Sequence, residues 1–391
     1  MGMMNNNQQT LSEDWKGLER LVLWGIGQVL TKYVDSLMMQ FDIAYFVDNK
    51  KSGEEYKGRK IVNFSSEKRN ICQYKIVVTT SKRVYSEIKE MLEKEGLEEY
   101  KDFCHIEFFV TEWFYKFKNQ WNVIQLNTAV TTWCTLQCAN CNMFMSYYPN
   151  KRRRNMTFED MKADIDVAMK YIDYIYTYVF LGGEPFLNSE LKDIIEYIGE
   201  IYIGKKVGKM SITTNGTIIP DEMTLNTIKK YNVRIAISDY TKTVDYIGKL
   251  KEFISVMKKN QIDYIMNGMD TWKDFGFPVN PFHWEMDGVK EHMKVCSPLF
   301  HGINDRKLYY CHIVWSAEQA GLYTVPRQDY IDLEELDSTN EHNKEKVMRY
   351  CRGEVERGFL GLCMLCGGCG TDNDRIVKAG IQYKNKGNEK I

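Results

Sequence analysis

The sequence predicts an α/β protein built on parallel sheets, closed at its C-terminal end by a small region folded around metal. Three observations carry this reading. Short apolar runs alternate with amphipathic stretches of helical period through the first two thirds of the chain, glycine turns stand at the ends of several runs, and the cysteines crowd into two places, Cys134–Cys141 and Cys363–Cys369.

The first block opens with Leu21-Val22-Leu23-Trp24, an apolar strand broken by Gly25-Ile26-Gly27 and followed by a helix to about Met39. A second strand, Ile43–Val47, ends at Asp48-Asn49, and a third, Tyr74–Thr79, precedes a charged amphipathic helix, Tyr85–Glu95. Strand, glycine turn, helix, then a strand ending in an acid about 20 residues on is the layout of a dinucleotide-binding, Rossmann-like unit. In that layout Gly25 and Gly27 face phosphate at a helix start and Asp48 faces the ribose of a nucleotide. The third glycine of the pattern is missing, since Leu30 stands there, and a docking domain without nucleotide is the alternative.

From Trp121 a longer alternation begins, with strands at Val123–Asn127, Tyr176–Leu181, Met210–Thr214, Arg234–Ser238 and Asp263–Met266. Between them Phe158, Met161, Ile165, Ala168 and Ile172 recur at helical spacing behind a Thr157-x-x-Asp160 start, and Tyr246–Lys259 forms another helix. Repeated strand–helix units give a parallel sheet whose ligands sit at the carboxyl ends of its strands. The expected domains are residues 1–115, 116–270 and 271–391, the last poor in periodicity and holding six cysteines.

Lys and Arg number 52 against 53 Asp and Glu, so there is no basic excess to grip nucleic acid or an anionic membrane surface. No stretch approaches the roughly 18 apolar residues of a membrane span, and Met1–Thr10 lacks a signal peptide's charged, then apolar layout. A cytoplasmic protein is expected. In that compartment the clustered cysteines read as metal ligands rather than disulfides.

Cys134, Cys138 and Cys141 put three thiolates on one short loop directly after a strand. Three such ligands can hold three corners of a [4Fe–4S] cube and leave the fourth iron open, whereas zinc wants a fourth ligand nearby. This C-x-x-x-C-x-x-C, following the first strand of a strand–helix series, resembles the signature of the radical SAM enzymes. Gly182-Gly183-Glu184-Pro185 resembles the family's GGEP motif, Thr213-Thr214-Asn215-Gly216-Thr217 its segment near the SAM ribose, and Ile237-Ser238 a later strand end facing SAM. The resemblance implies a partial (β/α)6 barrel whose open iron is chelated by S-adenosylmethionine. A reduced cluster then cleaves SAM to a 5′-deoxyadenosyl radical that abstracts hydrogen from substrate. It also implies that Glu184 accepts hydrogen bonds from the SAM ammonium, with Gly182, Gly183, Thr214, Asn215 and Ser238 around the cofactor, and that an electron donor such as flavodoxin or ferredoxin serves the cluster. The residue before the last cysteine, often aromatic in the family, is Asn140, which weakens the expected adenine contact there.

The C-terminal cysteines resemble the SPASM or twitch extension of the same superfamily: Cys296, then Cys311, then Cys363-x-x-Cys366 would hold a second, closed [4Fe–4S] cluster. Cys351 and Cys369 are left over, and Cys369 could replace Cys366; if the enzyme is an epimerase, one of the two is the hydrogen-atom donor. A structural zinc site of four cysteines is the alternative. The resemblance points to a sugar, aminocyclitol or nucleotide-linked sugar as substrate, oxidised or epimerised, with maturation of a ribosomally made peptide as the second reading. Lys151–Arg154 reads as a solvated turn, with a phosphate clamp as its functional alternative. Trp272, Lys273 and Asp274 read as a packed Trp with solvated neighbours rather than as cavity lining. His283, His292, His301 and His312 show no metal spacing and read as surface or structural groups, and Cys72 and Cys104 as buried thiols.

Overall fold

The computed structural model describes residues 10–268, 270–296 and 301–383, and the chain divides into two compact units, Met1–Ile124 and Gln125–Ile391. Residues 1–9, read above for a signal peptide, lie outside the described residues.

The first unit is the expected Rossmann-like layout. Its strands β1 (Arg20–Trp24), β2 (Asp42–Val47), β3 (Glu55–Tyr56), β4 (Arg59–Val62), β5 (Lys75–Val78) and β6 (Phe103–His105) lie in the order β3-β4-β2-β1-β5-β6. The neighbouring strands pair in parallel except in the β3–β4 hairpin. The central strands are runs of Val, Ile and Leu because helices cover a parallel sheet on both faces. Trp24 and Phe64, with ring centroids 4.5 Å apart, sit in a core shared with Val47, Ile76, Val78 and Leu92. The helix expected to run from the glycine turn to Met39 is instead a 3-10 turn at Leu30–Lys32 and a short helix, Val34–Met38. Gly27 and β-branched Val29 and Thr31 fall within five residues, so the local propensity for a helix is poor.

In the second unit β7 (Asn122–Thr131), β8 (Tyr174–Gly182), β9 (Val207–Thr214), β10 (Arg234–Asp239) and β11 (Tyr264–Gly268) follow the sequence prediction within a few residues. The strand β12 (Thr271–Lys273) leaves this sheet, and β13 (His301–Asn304), β14 (Lys307–Tyr309) and β15 (Ile331–Asp332) extend it beyond β7, in the order β11-β10-β9-β8-β7-β13-β14-β15. β8 through β11 pair in parallel, and β13 pairs in parallel with β7. The C-terminal third is thus built onto the barrel sheet. The last strand, β16 (Ile376–Lys378), pairs antiparallel with β12.

The Thr157 capping box forms as expected: its hydroxyl accepts from the Asp160 N–H at 3.1 Å and starts the helix Phe158–Ala168. That helix carries Asp164, which is 1% exposed and accepts the Arg306 N–H at 2.6 Å, fixing the β13–β14 turn. Burial pushes its carboxyl up to about 7. A raised acid pKa favours the folded state fully below the ordinary carboxylate range, and that advantage is lost as pH rises toward 7. Asp164→Asn keeps an oxygen for Arg306, so it should flatten the loss and leave the variant more stable than wild type at pH 8, by a few kcal/mol at most. Urea midpoints at pH 5 and pH 8 measure it; equal pH slopes for the two proteins would refute it.

Candidate functional site

The cysteine loop leaves the end of β7, and two further loops reach it through short, directional contacts. Gly183 N–H donates to the Thr131 carbonyl at 2.9 Å and Glu184 N–H to the Trp133 carbonyl at 2.8 Å. A side chain is excluded here: a Cβ on Gly182, whose φ is +133°, would lie 2.2 Å from the Thr131 oxygen, and one on Gly183 would lie 1.9 Å from the Trp133 oxygen. Glu184 is fully buried and its two oxygens are engaged by the chain. Oε1 accepts from the Thr214 hydroxyl at 2.7 Å and more weakly from Phe186 N–H, and Oε2 accepts from Asn215 N–H at 2.9 Å. Burial raises its pKa to about 7 against these hydrogen bonds. Asn215 Nδ2 in turn donates to Thr135 Oγ1 at 3.1 Å and lies 3.7 Å from Cys134 Sγ. Three segments far apart in sequence therefore meet at Cys134. Ser238 lies at the end of β10, buried and paired with Asn267 of β11.

The donor set fits an iron–sulfur group. Burial, with Cys141 nearby as a smaller cause, pushes Cys134 up to about 12 and Cys138 up to about 11. Backbone and amide donors already point at them: Leu136 N–H at 3.5 Å from Cys134 Sγ and Gln382 Nε2 at 3.4 Å from Cys138 Sγ. Such donors favour thiolate, the form that binds iron. Among the described residues no group of three or more His, Cys, Asp or Glu side chains is gathered as a site for a single metal ion.

The basic run is neither a free turn nor an open clamp. Arg153 donates to the carbonyls of Met145 (2.8 Å) and Thr132 (3.3 Å) and lies over the Trp133 ring, stapling the two ends of the cysteine loop. Arg152 binds the Glu318 carbonyl at 3.1 Å and Arg154 forks onto Asp305 at 2.8 and 3.0 Å. Lys151, Arg152 and Arg154 are exposed on a turn, as expected, but the three guanidinium groups are committed to carbonyls and a carboxylate rather than left to solvent.

At the C-terminal end, Cys296, Cys311, Cys363 and Cys366 converge, each raising the pKa of another beyond what burial does. Cys369 joins them. It shares a hydrogen bond with Cys296 that lowers its own pKa and raises that of Cys296. Gly368 N–H donates to Cys366 Sγ at 3.3 Å. Five thiols, rather than four, form this group. Cys351 stands apart at the end of the helix Glu341–Cys351, and burial alone raises it to about 12. His292, 2% exposed, joins the group from the side: its Nδ1 lies 2.6 Å from Asp372 and it hydrogen-bonds Cys296. His312 is buried with Nε2 2.8 Å from Asn304 Oδ1, His301 Nδ1 lies 2.8 Å from the Tyr310 carbonyl, and His283 is exposed.

In the first unit, Asp48 closes its own loop. One oxygen accepts Ile26 N–H at 3.0 Å and the other accepts Lys50 and Lys51 N–H at 3.0 and 3.2 Å, while Lys51 Nζ caps the Ile26 carbonyl. Gly25 N–H is taken by the Val47 carbonyl, and Gly27 has nothing packed on it. No helix starts at this turn. The phosphate-facing helix expected there is replaced by an acid–backbone clasp. Trp272 is half-buried on β12, edge-on to Tyr240 at 5.4 Å, a packed role. Cys104 is fully buried and Cys72 half-buried.

A strand–helix sheet with a three-thiol loop at the end of its first strand, tied to a buried glutamate and to an Asn-Gly turn, defines a class of cofactor-binding α/β domain. Residues 128–306 match the family model of the radical SAM superfamily, and residues 17–103 match the model described as C2185-like, N-terminal. Residues 128–306 thus form a domain of the radical SAM type. No curated protein matches the sequence.

Among solved structures, the chain is similar to anSMEcpe with bound AdoMet and the Cp18Cys peptide (18% identity, 37% of this chain and 42% of that one, TM-score 0.30). It is also similar to Streptococcus suis SuiB bound to S-adenosylmethionine (15%, 47% and 39%, TM-score 0.29) and to BtrN in complex with AdoMet and 2-DOIA (15%, 67% and 97%, TM-score 0.41). The chain spans less than half the length of the first two. No helix among the described residues is long and apolar enough to cross a membrane.

Proposed function

We propose that the protein is a SAM-cleaving oxidoreductase that removes hydrogen from an unactivated C–H bond of a small polar substrate, a sugar, aminocyclitol or nucleotide-linked sugar. The observation that carries this reading is the convergence of Glu184, Thr214 and Asn215 on Cys134, which joins three separate motifs at one loop. Cys134, Cys138 and Cys141 would hold a [4Fe–4S] cluster, which when bound supplies the electron for SAM cleavage. The chain's own task is to fix that loop and the cofactor beside it. Glu184 sets the positions of Thr214 and the Asn215 amide, and a lone pair left on its carboxylate accepts from the SAM ammonium. Gly182 and Gly183 let the backbone approach closely, and Ser238 lines the neighbouring strand end.

The auxiliary thiols, Cys296, Cys311, Cys363 and Cys366 with Cys369 beside them, would hold a second cluster of twitch type within residues 271–391. The barrel chemistry belongs to residues 116–270. Residues 1–115 serve as a docking unit, because Asp48 is already engaged by three backbone amides. A flavodoxin or ferredoxin in the cytoplasm would reduce the first cluster. We favour oxidation over epimerisation because Cys369 is drawn into the auxiliary group and Cys351, the other spare C-terminal thiol, is buried at the end of its helix, away from the cysteine loop's motifs. Solvent deuterium at the reacting carbon that disappears in Cys351→Ala would reverse that choice.

The direct test is anaerobic reconstitution with iron and sulfide, followed by an assay for 5′-deoxyadenosine and methionine. Stoichiometric zinc with no iron uptake would refute the reading. Glu184→Gln should keep both clusters yet weaken SAM binding about ten- to a hundred-fold, as expected for loss of a charge-assisted hydrogen bond. Unchanged affinity by calorimetry would remove Glu184 from the cofactor site.

A further inference from the structure

The last described residues run back to the cysteine loop. Beyond β16, Ala379 is tied at both of its backbone groups, N–H to the Asp270 carbonyl at 3.1 Å and carbonyl to Thr243 Oγ1 at 2.7 Å. Gly380, with φ +73°, follows where a Cβ would lie 2.6 Å from Thr243 Oγ1 and 2.9 Å from Tyr240 Cβ, so the chain crosses the end of β10 at close range. The next three residues pair with the loop as a short antiparallel bridge between Gln382 and Cys138. Ala139 N–H donates to the Ile381 carbonyl at 2.7 Å and Tyr383 N–H to the Gln137 carbonyl at 2.6 Å. The Gln382 side chain works on the same loop from both ends of its amide. Its Oε1 accepts Gln137 N–H at 2.8 Å, and its Nε2 donates to Cys138 Sγ at 3.4 Å and to the Gly380 carbonyl at 2.8 Å.

We propose that Ala379–Tyr383 is a strap that closes the SAM-cluster loop, and that Gln382 is a positioning residue which fixes Cys138 and tunes the cluster through an N–H···S hydrogen bond. The physical reason is directional. A donor on a ligand sulfur stabilises the more electron-rich, reduced form of an iron–sulfur group and so raises its potential. The strap also carries information along the chain, because it leaves the auxiliary thiols only ten residues after Cys369. Asn373, fully buried, anchors the connection by donating to the Gly368 and Asp274 carbonyls at 3.0 Å each.

This inference rests on the radical SAM reading, and two variants of the full chain separate its failure from failure of that reading. Gln382→Leu removes both side-chain contacts with the loop, whereas Gln382→Glu keeps an acceptor for Gln137 N–H and removes the donor to Cys138. Amide exchange of the metal-free proteins reads the strap without any cluster. Ala139 and Gln137 should exchange at least tenfold faster in Gln382→Leu than in wild type, with Gln382→Glu close to wild type at Gln137. Reconstituted proteins, titrated potentiometrically and followed by electron paramagnetic resonance, should show the reduced fraction of the SAM-binding cluster falling about tenfold at fixed potential in both variants. That is a shift of about 59 mV for one electron. Wild-type exchange together with a wild-type potential in both variants would overturn the strap. A wild-type chain that takes up no iron would instead overturn the radical SAM reading and leave the exchange result to stand by itself.

Discussion

Replacing Cys134, Cys138 and Cys141 together by alanine is expected to halve the iron of reconstituted protein, from about eight per chain to about four, and to abolish 5′-deoxyadenosine formation. The loss is all-or-none because no other thiol shares the loop, and the five C-terminal thiols form a group of their own. Folding should survive. The loop is held by Arg153, by the β8 glycines and by the Gln382 bridge through backbone carbonyls and amides, contacts that do not pass through sulfur, apart from Gln382 on Cys138. Iron analysis and product assay of the triple variant check this; residual 5′-deoxyadenosine above background would mean that the SAM-cleaving site lies elsewhere.

The second large effect should come from a single methyl group. Gly183→Ala places a Cβ 1.9 Å from the Trp133 carbonyl, which is held by the Glu184 N–H, and 3.0 Å from Cys134 Cβ. Overpacking against rigid backbone typically costs 1–3 kcal/mol, and relief here requires the cysteine loop to move off the end of β8. The expected result is soluble protein that has lost the Glu184–Trp133 hydrogen bond, with SAM binding reduced at least a hundredfold and iron in the first site poorly retained. Gly248→Ala, which like Gly183→Ala demands no positive φ but whose Cβ meets nothing within 4 Å, is the control and should leave SAM binding unchanged. Wild-type SAM affinity in Gly183→Ala would mean that the loop tolerates displacement.

Most of the fold was legible because both signals that predict it are local. The apolar runs that became β1, β2, β5 and β7 through β11 are recognisable without knowledge of their neighbours, and Thr157 announces its helix within four residues. The Gly183-Glu184 and Asn215-Gly216 segments stand out for the same reason: each sits at a strand end beside glycine. What escaped the sequence is made of long-range pairings with no local mark. Gln382 reaches Cys138 across 244 residues, and Arg152 reaches the Glu318 carbonyl across 166. Arg153 was misread because a run of four basic residues ordinarily faces water, and nothing nearby reveals that its guanidinium will find the Met145 and Thr132 carbonyls. Asp48 was overread, since an acid at a strand end serves a ribose or its own loop equally well until the geometry is seen. Cys369 looked spare only because its partner, Cys296, lies 73 residues back along the chain.

The arginine staples bear on how the enzyme would survive damage. Oxygen strips iron from exposed clusters, and a loop shaped by its metal alone would collapse once the metal was gone. Here Arg153 grips both ends of the loop, Arg154 ties the next segment to Asp305, and Arg152 holds the chain to the end of the helix His312–Gln319. These contacts need no iron. A loop emptied of its cluster should therefore keep its mould, and repair would be a matter of refilling a standing cast rather than refolding the protein around a new one.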